Sequence, residues 1–247
     1  METSCRCPVC LVTRSYYFIF AEGHQLLTCS ECGTVYVDPL PTAEQVRVLY
    51  RDSYQGSTTG YFTKVEKKLR RSRGRIRQLT KYARGGRFLD VGCNGGFMVE
   101  AAREAGFDAV GLDIDSVAIG YARKHYPENN YFVGTVEAFL EKISDYFDVI
   151  YSSEVIEHIP DVRSFCWSIS NLLKPSGILF VTTPDITHWR RPSDVRKWDA
   201  FCPPAHCIYF TPDSLIRLFN DFNLTLVKRK LAFKPGIKLI LRKVIAV

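Results

Sequence analysis

The sequence predicts an α/β fold built on a largely parallel sheet and preceded by a small cysteine-rich module. Two observations predict it. From residue 87 onward, short apolar segments alternate with helical patterns, which is typical of repeated strand–helix units. Before that, five of the nine cysteines crowd the first 32 residues. With 247 residues, 46% of them hydrophobic, the chain is long enough for one sizeable core and a small additional module.

Composition excludes two other classes of protein. The apolar content is too high for a chain that stays disordered, and no apolar run approaches the ~20 residues that a bilayer-spanning helix needs. The first residues carry neither a basic stretch nor an apolar run, so we predict no signal peptide and a soluble, cytoplasmic protein. The net charge of +7 suits an anionic partner but is too modest to require one.

Residues 1–40 contain two CxxC pairs separated by 18 residues. Such a pair can direct both thiolates at one metal ion, so the spacing indicates one tetrahedral zinc, with ligands Cys7, Cys10, Cys29 and Cys32. Alternating side chains at 16–20 suggest a hairpin strand between the pairs. The segment resembles a zinc ribbon, and its small size implies a structural zinc. Cys5 is a competing ligand, and unliganded thiols are the alternative.

Residues 41–82 are predicted to form a helical, basic connector. Thr42 can cap a helix that runs to Tyr50, with Gln45 at the capping-box position. A loop is expected at 53–60. Eight lysines and arginines follow between Lys64 and Arg77. This basic run is either an anion-binding surface or a solvated helix that leads into the main domain, and the solvated helix is the preferred interpretation.

The main domain is predicted to span residues 83–247. Strands are expected at 87–91, 109–113, 131–133, 147–152, 178–183 and 224–230, and helices at 97–105, 116–125, 162–172 and 212–221. The apolar tail at 234–247 is expected to add a last strand; a membrane-surface or partner-binding segment is the alternative.

Two carboxylates at the ends of successive strands select the cofactor. Asp90 precedes a glycine-rich turn that ends at Gly96, and Asp113 ends the next strand. An acid beside such a turn repels a pyrophosphate but attracts an ammonium group, and a carboxylate at the second position grips a ribose diol. An ammonium and a ribose without a phosphate describe S-adenosylmethionine.

The same segments resemble the motifs of class I S-adenosylmethionine-dependent methyltransferases, which implies a Rossmann-like domain of seven strands. The matching segments are 88–96, 110–115, 147–158 and 173–179. The resemblance implies that Asp90 meets the ammonium group, that Asp113 holds the ribose and that Ile114 stacks beside the adenine. Asn94 departs from the usual glycine, but asparagine tolerates a positive φ. The other implied cofactor contacts are Gly92, Cys93, Asn94, Gly95, Gly96, Thr135, Val136, Glu137 and Ser153.

The acceptor side centres on Glu154, Glu157 and His158, which share one face if the segment is a helical turn. It resembles the EVIEH segment of ubiquinone-biosynthesis O-methyltransferases and of terminal small-RNA 2′-O-methyltransferases. That resemblance implies a divalent ion such as magnesium, with His206 as a further ligand. Catalysis by Glu157, His158 and His206 without a metal, with His158 as general base, and a purely structural role are the alternatives.

The acceptor itself is left open between several classes. The ribbon resembles modules of ribosomal-RNA guanine methyltransferases and of nucleotide-sugar C-methyltransferases. A small-molecule or saccharide acceptor with O-methylation is preferred, because the chain lacks the strong basic field and exposed aromatic platform expected for RNA. An RNA methyltransferase and a non-catalytic cofactor-binding module are the alternatives. The stretch 183–205 is either a cover over the substrate or a surface loop with two packed tryptophans. The oligomeric state is open.

Overall fold

A computed structural model describes residues 6–42, 44–46, 48–49, 63–143 and 146–244. The first part forms an antiparallel sheet of β1 (Ser15–Ala21), β2 (His24–Cys29) and β3 (Val35–Asp38). This confirms the hairpin strand predicted at 16–20. A distant strand, β9 (Ile208–Tyr209), adds to β3 and gives the order β1-β2-β3-β9.

The main sheet has seven strands in the order β10-β11-β8-β7-β4-β5-β6. The strands are β4 (Gly86–Val91), β5 (Phe107–Asp113), β6 (Asn130–Val133), β7 (Phe147–Ser153), β8 (Leu173–Thr183), β10 (Leu224–Arg229) and β11 (Ile237–Lys243). Only β11 runs antiparallel to its neighbours. The predicted fold class is therefore confirmed, and so is the strand expected in the tail.

Six helices are described in full, and four of them begin at a residue whose side chain caps the first turn. They are α1 (Val65–Leu79), α2 (Phe97–Glu104), α3 (Ser116–His125), α4 (Val136–Leu140), α5 (Val162–Leu172) and α6 (Pro212–Asn220). The side chains of Asp115, Thr135 and Asp161 each accept a hydrogen bond from a backbone N–H of the first helical turn. Such caps satisfy donors that the helix leaves unpaired, and they fix the point where each loop ends.

Alternation along the strands divides the interior into two cores, one on each face of the main sheet. In β4, Leu89 and Val91 enter one core, whereas Phe88 enters the other. The first core continues into the N-terminal sheet, where it includes Cys7, Leu26 and other residues. The ribbon segment and the main domain therefore share apolar packing.

The connector is described in part. The backbone N–H of Thr42 donates to Gln45 Oε1 at 2.8 Å, and the N–H of Gln45 donates to Thr42 Oγ1 at 3.2 Å, which is the predicted capping box. Helical residues follow at 44–46 and 48–49, whereas the loop expected at 53–60 lies outside the described residues. The basic run forms α1, which buries Leu69 and Ile76 against the main domain.

The stretch 183–205, predicted to be either a substrate cover or a surface loop, contributes to the first core, where the Phe201 ring packs against Tyr209 of β9. Val195, Trp198 and Phe201 are buried in the first core, whereas Trp189 is 82% exposed. Only one of the two tryptophans is therefore packed. Across the described residues, no helix combines the length and apolar character needed to cross a bilayer.

Candidate functional site

The turn between β4 and α2 has the backbone shape that the sequence predicted. Gly92 has φ 79°, Asn94 has φ 46° and Gly96 has φ 78°. A Cβ on Gly92 would lie 2.4 Å from Val155 Cγ2, so this position requires glycine for space as well as for conformation. The departure at Asn94 is accommodated, because asparagine adopts the left-handed conformation more readily than most residues.

The two predicted carboxylates lie at the carboxyl ends of adjacent strands. Asp90 is only 3% exposed. Burial, reinforced by the charge of Asp113, raises its pKa to about 8, whereas Arg75 opposes that rise. Asp113 accepts backbone hydrogen bonds from Asn94 at 2.7 Å and from Asp115 at 2.9 Å. A cationic ligand at Asp90 would therefore gain a buried carboxylate as its partner.

These residues border one large pocket of about 1140 Å³ at the carboxyl edge of the sheet. It opens where the strand order reverses around β4, the position at which open α/β sheets bind ligands. The sequence-predicted residues in its lining are Asp90, Gly92, Cys93, Asn94, Asp113, Ile114, Thr135, Val136, Glu137 and Ser153. Gly95 and Gly96, which were also predicted as cofactor contacts, are not among the described residues that line the pocket. The volume exceeds what most single small ligands occupy, so a cofactor and an acceptor fit together.

Part of the pocket wall is formed by residues that were not predicted from the sequence. Lys68, Arg71 and Arg75 project from α1 into this lining, and Leu231 and Phe233 project from the turn between β10 and β11. The Arg75 guanidinium also donates a hydrogen bond to the hydroxyl of Tyr151. The helical spacing of Lys68, Arg71 and Arg75 was the available signal, because residues three and four apart share one face. The run thus forms the helix that leads into the main domain, and three of its basic residues also line the pocket.

The expected helical turn from Glu154 to His158 does not form. Glu154 has φ 58°, and only Ile156–His158 are helical, as a single 3-10 turn. Glu154 directly follows β7, its backbone N–H donates to the carbonyl of Thr182 at 2.9 Å, and the hydroxyl of Thr182 donates to Glu154 Oε1 at 2.7 Å. These bonds direct the Glu154 carboxylate to the pocket wall. Glu154 is therefore separate from the helical turn.

Glu157, His158 and His206 come together as a group that can hold a metal ion, with ligand atoms within 4.8 Å of one another. His158 Nδ1 lies 2.7 Å from the carbonyl of Ala205, and His206 Nδ1 lies 2.7 Å from the carbonyl of Ala200. Because a carbonyl only accepts, both Nδ1 atoms carry protons. In the neutral rings, each Nε2 then carries a lone pair.

Burial governs the charges of this group. It lowers the pKa of His158 to about 4, with a smaller contribution from His206, and it lowers the pKa of His206 in the same way. Burial and then the charge of Glu154 raise the pKa of Glu157. Thr183 donates to Glu157 Oε2 at 2.9 Å, whereas the buried Glu157 Oε1 has no hydrogen-bond partner in the described structure. None of the three residues is among the described pocket residues, whereas Glu154 is.

The four predicted zinc ligands meet at the end of the N-terminal sheet. Cys7 Sγ lies 3.6 Å from Cys32 Sγ, and Cys10 Sγ lies 3.4 Å from Cys29 Sγ. Tetrahedral zinc with bonds of about 2.3 Å places its sulfurs about 3.8 Å apart, so these four thiols fit the ion. Cys5 lies outside the described residues.

The protonation of these thiols fits a cationic ligand as well. Contact with the Cys7 thiol lowers the pKa of Cys32 to about 5, whereas burial raises the pKa of Cys10 to about 11. Four thiolates do not coexist in this space without a cation.

Comparison with curated proteins identifies relatives of the main domain. Ubiquinone biosynthesis O-methyltransferase of Actinobacillus pleuropneumoniae is 40% identical over 107 residues, which are 40% of this chain and 46% of that protein. The enzyme of the same name from Histophilus somni is 34% identical over 145 residues, which are 50% of this chain and 61% of that protein. The chain thus spans about half the length of these curated relatives.

Solved structures share the fold at low identity. A 1,6-didemethyltoxoflavin-N1-methyltransferase of Burkholderia thailandensis, with bound S-adenosylhomocysteine, superposes with a TM-score of 0.60 at 15% identity, covering 92% of this chain and 99% of that one. A magnesium protoporphyrin IX methyltransferase of Synechocystis gives 0.59 at 13% identity, covering 80% and 99%. A family model described as a methyltransferase domain matches residues 61–229, most of the chain. Together with the seven-stranded sheet and the glycine-rich turn at its switch point, this match shows that the chain belongs to the methyltransferase domain family.

Proposed function

We propose that this chain transfers a methyl group from S-adenosylmethionine to a hydroxyl group of a small-molecule or saccharide acceptor. One observation carries the proposal: a single pocket joins Asp90 and Asp113 on one side to Glu154 on the other. Curated relatives named as ubiquinone biosynthesis O-methyltransferases support a hydroxyl acceptor. The bound 1,6-didemethyltoxoflavin in a structural neighbour supports an acceptor of small-molecule size.

On the cofactor side, Asp90 would meet the ammonium group of the methionine moiety. Burial and the charge of Asp113 raise the pKa of Asp90, and an ammonium group would stabilise the ionised form of this carboxylate. Asp113 would hold the ribose diol, because two backbone N–H groups already fix the direction of its carboxylate. The remaining lining residues from Gly92 to Asn94 and from Thr135 to Glu137 would contact the methionine and the adenine.

On the acceptor side, the sulfonium is already an activated donor, so the protein must align the acceptor and handle its proton. Glu154 is the carboxylate of the EVIEH segment that borders the pocket, and we assign to it the contact with the acceptor hydroxyl. His158 is poorly suited as the general base, since its pKa of about 4 lies far below neutral pH. Its lone pair at Nε2 suits a cation better than a proton.

Glu157, His158 and His206 fit a divalent ion. Both imidazoles are anchored through Nδ1–H to carbonyl groups, the usual arrangement of metal-bound histidines, and the buried Glu157 Oε1 has no other described partner. Two imidazoles and one carboxylate favour a divalent transition-metal ion over magnesium, which prefers oxygen ligands. Such an ion would lower the pKa of a nearby hydroxyl group. In the ribbon, Cys7, Cys10, Cys29 and Cys32 would hold a structural zinc.

The positive charge of α1 supports an acceptor bound in the pocket. Lys68, Arg71 and Arg75 line the cavity, and Arg73 is engaged by Glu104 in a bidentate ion pair. The helix therefore directs several of its charges toward the site. An anionic group on a small acceptor suits this distribution better than an RNA strand, which needs a continuous basic surface.

The test compares turnover by Glu154→Gln with turnover by Glu141→Gln, a matched change at an exposed position. Formation of S-adenosylhomocysteine is measured with a panel of catechols, hydroxybenzoates and saccharides. We expect a loss of about 100-fold or more in Glu154→Gln and little change in the control. Equal turnover in both variants would remove Glu154 from the reaction, and tight cofactor binding without turnover on any acceptor would favour a non-catalytic module.

A further inference from the structure

Cys207 connects the group of Glu157, His158 and His206 to the N-terminal sheet. Its backbone N–H donates to the carbonyl of Glu157 at 2.9 Å, and its carbonyl accepts from the N–H of Val37 at 3.0 Å. Val37 belongs to β3, the strand that follows the second cysteine pair. One residue thus connects the zinc ribbon with Glu157 through two backbone hydrogen bonds.

The segment that ends at Cys207 also orients both histidines. His206 immediately precedes Cys207, and its Nδ1 bonds to the carbonyl of Ala200. The neighbouring carbonyl of Ala205 bonds to His158 Nδ1. The two imidazole rings meet edge to face with centroids 4.4 Å apart. A shift of the segment 200–207 would therefore move His206 and release the anchor of His158.

The strand β9, which follows this segment, lies beside the second cysteine pair. Cys29 donates its N–H to the carbonyl of Thr34 at 2.9 Å, directly before β3, and the hydroxyl of Thr211 donates to the carbonyl of Cys32 at 3.4 Å. Between these points, β3 pairs with β9. The chain before β9 is thus held to Val37 of β3, and the chain after β9 is held to Cys32.

Two contacts hold this segment and β9 to the ribbon: the pairing of β9 with β3, and the hydrogen bond from the Val37 N–H to the Cys207 carbonyl. Among the described strands, β9 has two residues and pairs with β3. A strand this short depends on its partner for stability. A ribbon of about 40 residues depends in turn on its metal, because its own core is small. The position of His206 therefore depends on order in the ribbon.

We infer that zinc binding at the four cysteines positions Glu157, His158 and His206, through the hydrogen bonds from Val37 to Cys207 and from Cys207 to Glu157. The ribbon then acts inside this chain, as a support for Glu157, His158 and His206, and Cys207 is a positioning residue. The functional meaning of this arrangement rests on the function proposed above. The structural coupling itself is measured without any acceptor, so the two can fail separately.

The test is hydrogen–deuterium exchange of the full chain, with zinc bound and after its removal by a chelator. We expect peptides covering 200–210 and 154–160 to exchange at least about tenfold faster without zinc, whereas 86–113 keeps its protection. Binding of S-adenosylhomocysteine should persist. Refilling with cobalt, seen by its thiolate absorption, should restore the protection. Unchanged exchange in 200–210 after verified zinc loss would overturn the inference.

A second comparison applies if zinc loss unfolds the whole chain. Val37→Pro removes the backbone N–H that donates to the Cys207 carbonyl but leaves all four thiols in place. Val37→Ala keeps that N–H and is the matched control. With zinc bound in both, we expect faster exchange at 154–160 only in Val37→Pro. Equal exchange in the two variants would show that this hydrogen bond does not position the group.

Discussion

The backbone N–H of Asn94 donates a 2.7 Å hydrogen bond to Asp113 Oδ2, so the glycine-rich turn after β4 is fixed by the carboxylate that ends β5. The residue that departs from the family's usual glycine is thus bound to the residue expected to hold the ribose. This contact ties the shape of the turn to the direction of the Asp113 carboxylate.

Asp113→Asn should weaken S-adenosylhomocysteine binding about tenfold to 100-fold. The amide can accept from only one of the two backbone donors, and its own NH₂ group faces the other. Isothermal titration calorimetry measures the change. Asp108→Asn is the matched control, because Asp108 lies on the same strand and its side chain is 60% exposed. Equal affinities of the two variants would contradict the role of Asp113.

The stability of the cofactor-free protein should fall as pH rises, in part because of Asp90. The pKa of Asp90 is raised from 3.8 to about 8 in the folded chain, so the folded state holds a proton that the unfolded state has already lost. Its stabilising contribution is complete below about pH 4 and is lost as pH approaches 8.

Urea unfolding of the wild type and Asp90→Asn at about pH 5 and about pH 8 tests this. The wild type should lose at least about 1 kcal/mol more than the variant, which has no proton to release at this position. Because the raised pKa of Glu157 acts in both proteins, the difference between them isolates Asp90. Parallel pH profiles would show that Asp90 does not titrate in this range.

Removing either imidazole should reduce manganese binding. His158→Ala and His206→Ala each delete one of the three donors, and we expect the affinity to fall at least about tenfold. Electron paramagnetic resonance of added manganese measures free and bound ion. His188→Ala is the control, since His188 lies outside the group and bonds to the carbonyl of Ala232. If all three variants bound manganese with wild-type affinity, the group of Glu157, His158 and His206 would not be a metal site.

Loss of one cysteine from the CxxC pairs should lower both the zinc content and the thermal stability of the protein. Cys32→Ser removes a thiol that lies 3.6 Å from Cys7 Sγ within the four-cysteine group. We expect zinc to fall from one to less than one equivalent per chain, and the melting temperature to fall by several degrees. Cys202→Ser is the matched change outside the four-cysteine group. Full zinc occupancy of Cys32→Ser would refute the four-cysteine site.

Most regular elements of the main domain followed from local pattern. The helices Ser116–His125 and Val162–Leu172 begin and end at the predicted residues, and the structure adds their caps, Asp115 and Asp161. The helix Val136–Leu140 was not predicted. The strands needed only short apolar runs bounded by turn residues. The two carboxylates and the glycine-rich turn likewise lie within short segments, and they meet because parallel strands end at one edge of the sheet.

Non-local relationships were not predictable in the same way. The two residues of β9 carry no periodic signal, and their pairing with β3 joins positions about 170 residues apart. The left-handed backbone at Glu154 replaced the expected helical turn, because its N–H bonds across to Thr182 of the neighbouring strand. The burial that lowers the pKa of His158 also depends on a distant segment, 200–207. The sequence around each of these residues does not indicate its distant partner.

Measuring methyl transfer itself is the most direct test of the proposed O-methylation. The full chain is incubated with methyl-labelled S-adenosylmethionine and the acceptor panel, and the label is located by NMR and mass spectrometry. We predict a labelled methyl ether on an acceptor oxygen, formed in equal amount with S-adenosylhomocysteine. A label on nitrogen or carbon would contradict O-methylation, and absence of cofactor binding at millimolar concentration would contradict the assignment of the pocket.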